Sequence, residues 1–130
     1  MIKKIMIVDD SPELTFTVKT LLEESSGDEY EVTIADGGEK CLELLKNNKI
    51  PDIILLDIMM PEMDGWDVAA EIKKNPEWSN KIPIVFLTAK TDSDSKTYGK
   101  IVSTDYIEKP FEIEDLKERI DKILEQRKNG

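Results

Sequence analysis

The sequence predicts an α/β fold: a doubly wound, five-stranded parallel sheet with five helices spread over its two faces. Two observations carry this expectation. Five short β-rich runs alternate with stretches of helical periodicity, and such alternation implies parallel strands joined by right-handed crossovers. The central run, Ile53-Ile54-Leu55-Leu56, is apolar without interruption, the pattern of a strand buried on both faces. A third observation says where chemistry would sit. That run stops on Asp57, and an acid entering an apolar strand is costly unless it stands at the strand's end among partners. In open α/β sheets the carboxyl edge of the strands is where ligands bind.

Lys3 to Val8 is the first β-rich run, and it too ends on acids, Asp9-Asp10. Ser11-Pro12 then supplies an N-cap followed by proline at the first helical position. Leu14, Val18, Leu21 and Leu22 recur at helical spacing before the pattern fades in Glu24-Ser25-Ser26-Gly27. Tyr30 to Ala35 reads as the second strand, and Asp36-Gly37-Gly38 turns into a helix carrying Cys41, Leu42, Leu44 and Leu45. Pro51 opens the third strand. Pro61, Asp64 and Gly65 mark the loop after it and the exit into a helix whose Val68, Ala69 and Ile72 face inward, and Asn75-Pro76 ends that helix. Trp66 and Trp78 bracket it and are read as core residues.

Ile82 to Leu87 is the fourth strand, giving out at Thr88-Ala89. Residues 90–104 hold only Tyr98, Ile101 and Val102 as sizeable apolar groups, with Gly99 among them, so one short helix is expected there. Asp105 to Glu108 is a brief fifth strand ending at Lys109-Pro110. Ile113, Leu116, Ile120, Ile123 and Leu124 then make the clearest helical stripe of the chain.

At 130 residues the chain reads as one domain, 1–130, with a single core. No apolar stretch approaches a membrane span and the first residues do not resemble a secretion signal, so a cytoplasmic setting is expected. The single cysteine, Cys41, falls in an apolar periodic segment and reads as a core residue. A formal charge of −10 opposes direct binding to nucleic acid or to an anionic membrane. There is no histidine, which removes His-based triads, imidazole metal sites and phosphohistidine chemistry within the chain. Any phosphoryl donor must be another molecule.

Parallel strands end at one rim, so Asp9, Asp10, Asp57, Thr88 and Lys109 should gather there. Singly, acids and threonines often punctuate strand-to-helix turns. Together they demand more, because two carboxylates about 4 Å apart repel by on the order of 4 kcal/mol at an effective dielectric of about 20. A third acid worsens this unless a cation neutralises it. Hard oxygen ligands without histidine or an available thiol suggest Mg²⁺, and Lys109 adds a point charge suited to a phosphoryl oxygen.

Four ordered motifs give this constellation a family likeness: I-V-D-D-S-P at 7 to 12, L-L-D-I-M-M-P-E-M-D-G at 55 to 65, V-F-L-T-A-K at 85 to 90 and D-Y-I-E-K-P-F at 105 to 111. On these motifs the chain resembles a response-regulator receiver domain of two-component signalling, of the single-domain, chemotaxis-receiver kind. The resemblance implies a flavodoxin-like sheet in the order 2-1-3-4-5, a topology for which a member of that family is itself a standard example. It implies that Asp57 is the phosphoacceptor, and that Asp9, Asp10, Asp57 and the backbone carbonyl of Met59 hold Mg²⁺. It assigns Thr88 a hydrogen bond to the phosphoryl group, Lys109 an ion pair with it, and Tyr106 the role of an aromatic whose rotamer reports the switch. It also implies a cis peptide between Lys109 and Pro110.

The same likeness implies a sensor histidine kinase or phosphotransfer protein as donor. It further implies a surface of the fourth helix, fifth strand and fifth helix that repacks to control a protein partner or an output domain, with a phosphorylation-dependent dimer as one form of that control. The chain departs from many members at Lys100-Ile101-Val102-Ser103-Thr104, where an Ala/Gly-rich turn is common. Met59 and Lys90, near the rim, are expected to influence attack by water on the acyl phosphate. Two other classes stay open. A Mg²⁺-dependent aspartyl phosphohydrolase would place a second acid where Met59 stands and would carry a cap insertion. A receiver-like binding module would work without phosphorylation. A glycine-rich nucleotide loop is not supported, because no glycine cluster follows the first strand.

Overall fold

In the computed structural model, which describes residues 2–25, 29–89 and 105–129, strands and helices alternate as expected. They are β1 (Lys3–Val8), α1 (Pro12–Ser25), β2 (Tyr30–Ala35), α2 (Gly38–Lys46), β3 (Ile53–Asp57), α3 (Gly65–Lys74), β4 (Ile84–Ala89), β5 (Tyr106–Lys109) and α4 (Ile113–Asn129). The sheet has the order β2-β1-β3-β4-β5, and every pairing is parallel. The helix expected within 90–104 lies outside the described residues. Four helices are therefore seen among those described, where five were anticipated.

The uninterrupted apolar pattern of β3 has the cause inferred for it. Alternate residues of a strand point to opposite faces, and here both faces are covered. Met6, Val8, Ile54, Leu56 and Phe86 pack with Cys41 and Leu45 of α2 and with Val68, Ala69 and Ile72 of α3. Ile5, Ile7, Ile53, Leu55, Val85 and Leu87 pack on the other side with Val18 and Leu22 of α1 and with Leu116, Ile120 and Ile123 of α4. Each such Leu or Ile removed from water contributes about 1.5–3 kcal/mol. Trp78 is buried. Trp66 is partly buried and its ring lies 4.5 Å from that of Phe86 at an interplanar angle of 39°, so the core reading of both tryptophans holds. Cys41 is fully buried, and burial pushes its thiol up to about 12.

Three local expectations need correction. β4 begins at Ile84, not Ile82. Pro83 has no N–H to give the ladder and contributes only its carbonyl, which accepts from Ile54 N at 3.0 Å. β5 runs Tyr106–Lys109, one residue later than anticipated, with the carbonyl of Asp105 serving Phe86 N. In α1, Leu21 is 40 % exposed, and the buried positions are Thr15, Val18 and Leu22. Thr15 can be buried because its hydroxyl donates to the carbonyls of Ser11 and Pro12, both at 3.2 Å.

Helices α2 and α3 approach closely at Gly38. A Cβ there would lie 2.6 Å from Val68 Cγ2 and 2.9 Å from Met63 Cγ. The bare glycine is what lets Met63, in the loop after β3, lie against the start of α2.

Candidate functional site

Because every strand runs the same way, the carboxyl ends of β1, β3, β4 and β5 share one rim. Asp9 follows β1 directly, and its N–H still donates to Ala35 O at 3.1 Å, extending the ladder by one step. Its side chain is buried. Oδ1 accepts from the Ser11 amide at 2.9 Å, and Oδ2 accepts from Lys109 Nζ at 2.9 Å. Asp57 closes β3, is likewise buried, and accepts from the same ammonium at 3.1 Å through Oδ1. Lys109 therefore stands between two carboxylates that have left solvent. Asp10 is exposed, yet one oxygen each of Asp9, Asp10 and Asp57 falls within 4.8 Å of the others.

This crowding shows in the acidities. Burial, reinforced by the charge of Asp9 and to a smaller extent that of Asp10, raises Asp57 from an ordinary 3.8 to about 6, against the opposing pull of Lys109. Asp57 is thus ionised at neutral pH, with a carboxylate poorly compensated by solvent. Burial works against the charge of Lys109, but the hydrogen bonds and charges of Asp9 and Asp57 outweigh it, and its pKa lies above the usual lysine value. A further cationic partner of the acids would be a hard divalent ion, since the donors are carboxylate oxygens, the chain has no imidazole and its one thiol is buried in the core. The residues present fit Mg²⁺.

The remaining anticipated residues are distributed around this cluster. Thr88 lies one step beyond Leu87, the residue paired with Asp57. It is half-buried, and its hydroxyl donates to Ala89 O at 3.2 Å. Tyr106, at the start of β5, is 53 % exposed, and its carbonyl accepts from Arg119 Nη1 at 3.3 Å. It is turned toward solvent and does not join the acids. The Met59 side chain is also exposed, at 63 %, two residues past Asp57. The Lys109–Pro110 peptide is cis. Lys90 lies outside the described residues.

The loop after Asp57 is held by backbone fit. Gly65 N donates to Ile58 O at 2.8 Å, and a Cβ on Gly65 would come within 2.5 Å of the Asp57 carbonyl oxygen and 2.8 Å of Ile58 Cα. Only glycine admits that approach. Asp64 caps α3 through a reciprocal box: its carboxylate accepts from Asp67 N at 2.9 Å, and Asp67 accepts from Asp64 N at 3.1 Å. Glu62 takes a left-handed conformation (φ 68°) to complete the turn.

One participant escaped the sequence reading. Ser11, expected as an N-cap, is one, its hydroxyl accepting from Leu14 N at 3.2 Å. Its amide also orients Asp9. The Asp-x-Ser spacing of an Asx turn is the signal that could have found it.

Comparison with known proteins points the same way. A sequence model of the family described as "Response regulator receiver domain" matches residues 5–121. The response regulator SaeR of Staphylococcus aureus is 35% identical over 125 residues, covering 95% of this chain and 51% of its own length. A protein of Vibrio cholerae named a probable cyclic di-GMP phosphodiesterase is 37% identical over 127 residues, covering 96% of this chain and 27% of its own length. The chain thus spans about half or less of these relatives. Among solved structures, a CheY-like response regulator receiver domain protein from Methanospirillum hungatei superposes with a TM-score of 0.84 at 40% identity, covering 98% of both chains.

Proposed function

Since this chain belongs to the response regulator receiver domain family, we propose that Asp57 is its phosphoacceptor and that Asp9, Asp10 and the Met59 carbonyl join Asp57 in holding Mg²⁺. The observation that carries this reading is the convergence of three carboxylates within 4.8 Å, with Lys109 Nζ bonded to the two buried ones.

The chemistry follows from the residues. The donor is a sensor histidine kinase or a phosphotransfer protein carrying phosphohistidine, since the chain has no histidine of its own. An Asp57 oxygen attacks phosphorus in line with the leaving imidazole nitrogen, so a P–O bond forms as the P–N bond breaks. When bound, Mg²⁺ supplies positive charge against the equatorial phosphoryl oxygens. Lys109 follows the new charge, leaving its carboxylate contact for a phosphoryl oxygen. Thr88, on the adjacent strand end, turns its hydroxyl to another oxygen. The ring of Tyr106, exposed before phosphorylation, then moves inward behind Thr88, repacking the face that includes β5 and α4. That face would act on a downstream protein or on an output domain, through a phosphorylation-dependent dimer or through direct docking.

In this reading the chain is not an enzyme toward separate substrates. It promotes only its own phosphorylation and dephosphorylation. The phosphodiesterase name of one relative belongs to a protein of which this chain spans 27%. Among the described residues no helix is long and apolar enough to cross a membrane, and a kinase-coupled domain of this kind is suited to the cytoplasm. The charge of −10 sets it against direct contact with nucleic acid.

Intact-mass measurement after incubation with acetyl phosphate and Mg²⁺ tests the assignment. One added phosphoryl group is expected on the native chain and none on Asp57→Ala. Equal addition to both would remove Asp57 from the role.

A further inference from the structure

We propose that the Lys19–Glu23 pair of α1 is an edge guard: by occupying the outward-facing amide and carbonyl of Val32, it closes β2 to strand addition by a second copy of this chain.

The sheet has two edges, β2 and β5. An edge strand presents unpaired N–H and C=O groups to any strand that comes by, and proteins blunt such edges with charges, proline or a covering element. β5 carries its own protection, because Glu108 and Lys109 lie within it and Pro110 follows. β2 carries little. Its sequence Y-E-V-T-I-A has one charge, no proline and three β-branched residues, a composition suited to pairing.

Which β2 groups face outward follows from the ladder to β1. Lys3 N donates to Glu29 O at 2.8 Å and Asp9 N donates to Ala35 O at 3.1 Å, at the two ends of a parallel register. Parallel pairing uses alternate residues of a strand. Glu29, Glu31, Thr33 and Ala35 therefore serve β1, and the backbone groups of Tyr30, Val32 and Ile34 point away. Val32 is the middle one. Its N–H donates to Glu23 Oε2 at 2.9 Å, and its C=O accepts from Lys19 Nζ at 2.7 Å. The ammonium and carboxylate are themselves 2.9 Å apart, so one ion pair closes a ring over one residue.

An i,i+4 ion pair this exposed contributes little to stability by itself. Its placement on both groups of a single edge residue is what requires explanation. A second copy offers the identical edge, so the contact is self-complementary. About a two-fold axis at Val32, two antiparallel β2 strands would exchange both backbone bonds between their Val32 residues and set each Tyr30 opposite an Ile34. That pairing needs the two groups that Lys19 and Glu23 hold.

The test compares the native full chain with Lys19→Ala/Glu23→Ala by sedimentation equilibrium over a wide concentration range, together with amide hydrogen exchange. The native chain is expected at 14.9 kDa throughout. The double variant is expected to approach twice that mass as concentration rises, with new protection at the Val32 amide. Lys19→Arg/Glu23→Gln keeps a donor and an acceptor in place and should stay monomeric. If the double variant loses its cooperative thermal transition, Glu23→Ala alone, which frees the Val32 amide, is read in the same way. A cooperatively folded variant that remains monomeric, or that associates without protection at Val32, overturns the proposal, as does a native chain that already pairs through this edge.

Discussion

Replacing Asp57 by asparagine should make the metal-free protein more stable, and the size of the gain can be worked from the site. Burial beside Asp9 lifts Asp57 from 3.8 to about 6. At about 1.4 kcal/mol per unit, charging this side chain is about 3 kcal/mol harder in the folded protein than in the unfolded one. Between those two values the native state holds the extra proton, so stability falls as pH rises from about 4 to about 6 and levels off above. Asparagine imitates the protonated acid and can still accept from Lys109. The variant should therefore match the native chain near pH 4 and exceed it by about 3 kcal/mol at pH 8. Urea unfolding in the presence of a chelator, followed by the fluorescence of Trp66 and Trp78, reads this as a midpoint shift of roughly 2 M. If the proposed Mg²⁺ site holds, the ion should then narrow the gap, because the native chain keeps all three carboxylates and gains about 2.7 kcal/mol at a hundredfold excess over its Kd, more than the variant with two. An Asp57→Asn variant no more stable than the native chain at pH 8, or a gap independent of pH, would refute the account of a strained carboxylate.

Three further substitutions probe the rim and the helix packing beside it. Lys109→Met leaves Asp9 and Asp57 buried without their shared ammonium. At pH 8 in chelator it should lower the urea stability by about 3 kcal/mol, move the acid-side stability window upward, and slow phosphoryl uptake from acetyl phosphate about 100-fold. Gly65→Ala drives a methyl group into the Asp57 backbone carbonyl, 2.5 Å away, and should cost roughly 3 kcal/mol in thermal or urea unfolding. Gly38→Ala should cost less, since part of what it meets is the flexible end of Met63.

Legibility in the sequence followed the range over which each feature is determined. The fold and the central acids were readable because both follow from strand direction alone. An apolar run ending on Asp57, a second ending on Asp9-Asp10, and alternation with helices place those acids on one rim, where the structure has them. Lys109 was readable for the same reason, as the last residue of a strand. Features that depend on one side chain meeting a distant backbone were not. Leu21 fits the helical stripe of α1, but the buried slot went to Thr15, whose hydroxyl is satisfied by the preceding turn. Ile82 is apolar and buried, yet the ladder starts only after Pro83. The clasp on Val32 requires knowing that β2 is an edge and that α1 crosses it. The reason for glycine at 65 is invisible until α3 is seen against Asp57, although its place at the helix entrance is legible in the sequence.

Cys41 offers an experimental convenience that follows directly from its burial. The chain has one thiol, shut on the inner face of α2 and shifted up to about 12, so alkylating reagents reach it only when the molecule opens. Its labelling rate is accordingly a built-in clock for the lifetime of the closed structure, readable without any engineered probe. A dye attached to a new surface cysteine would go where it was sent, with the native sulfur left in place.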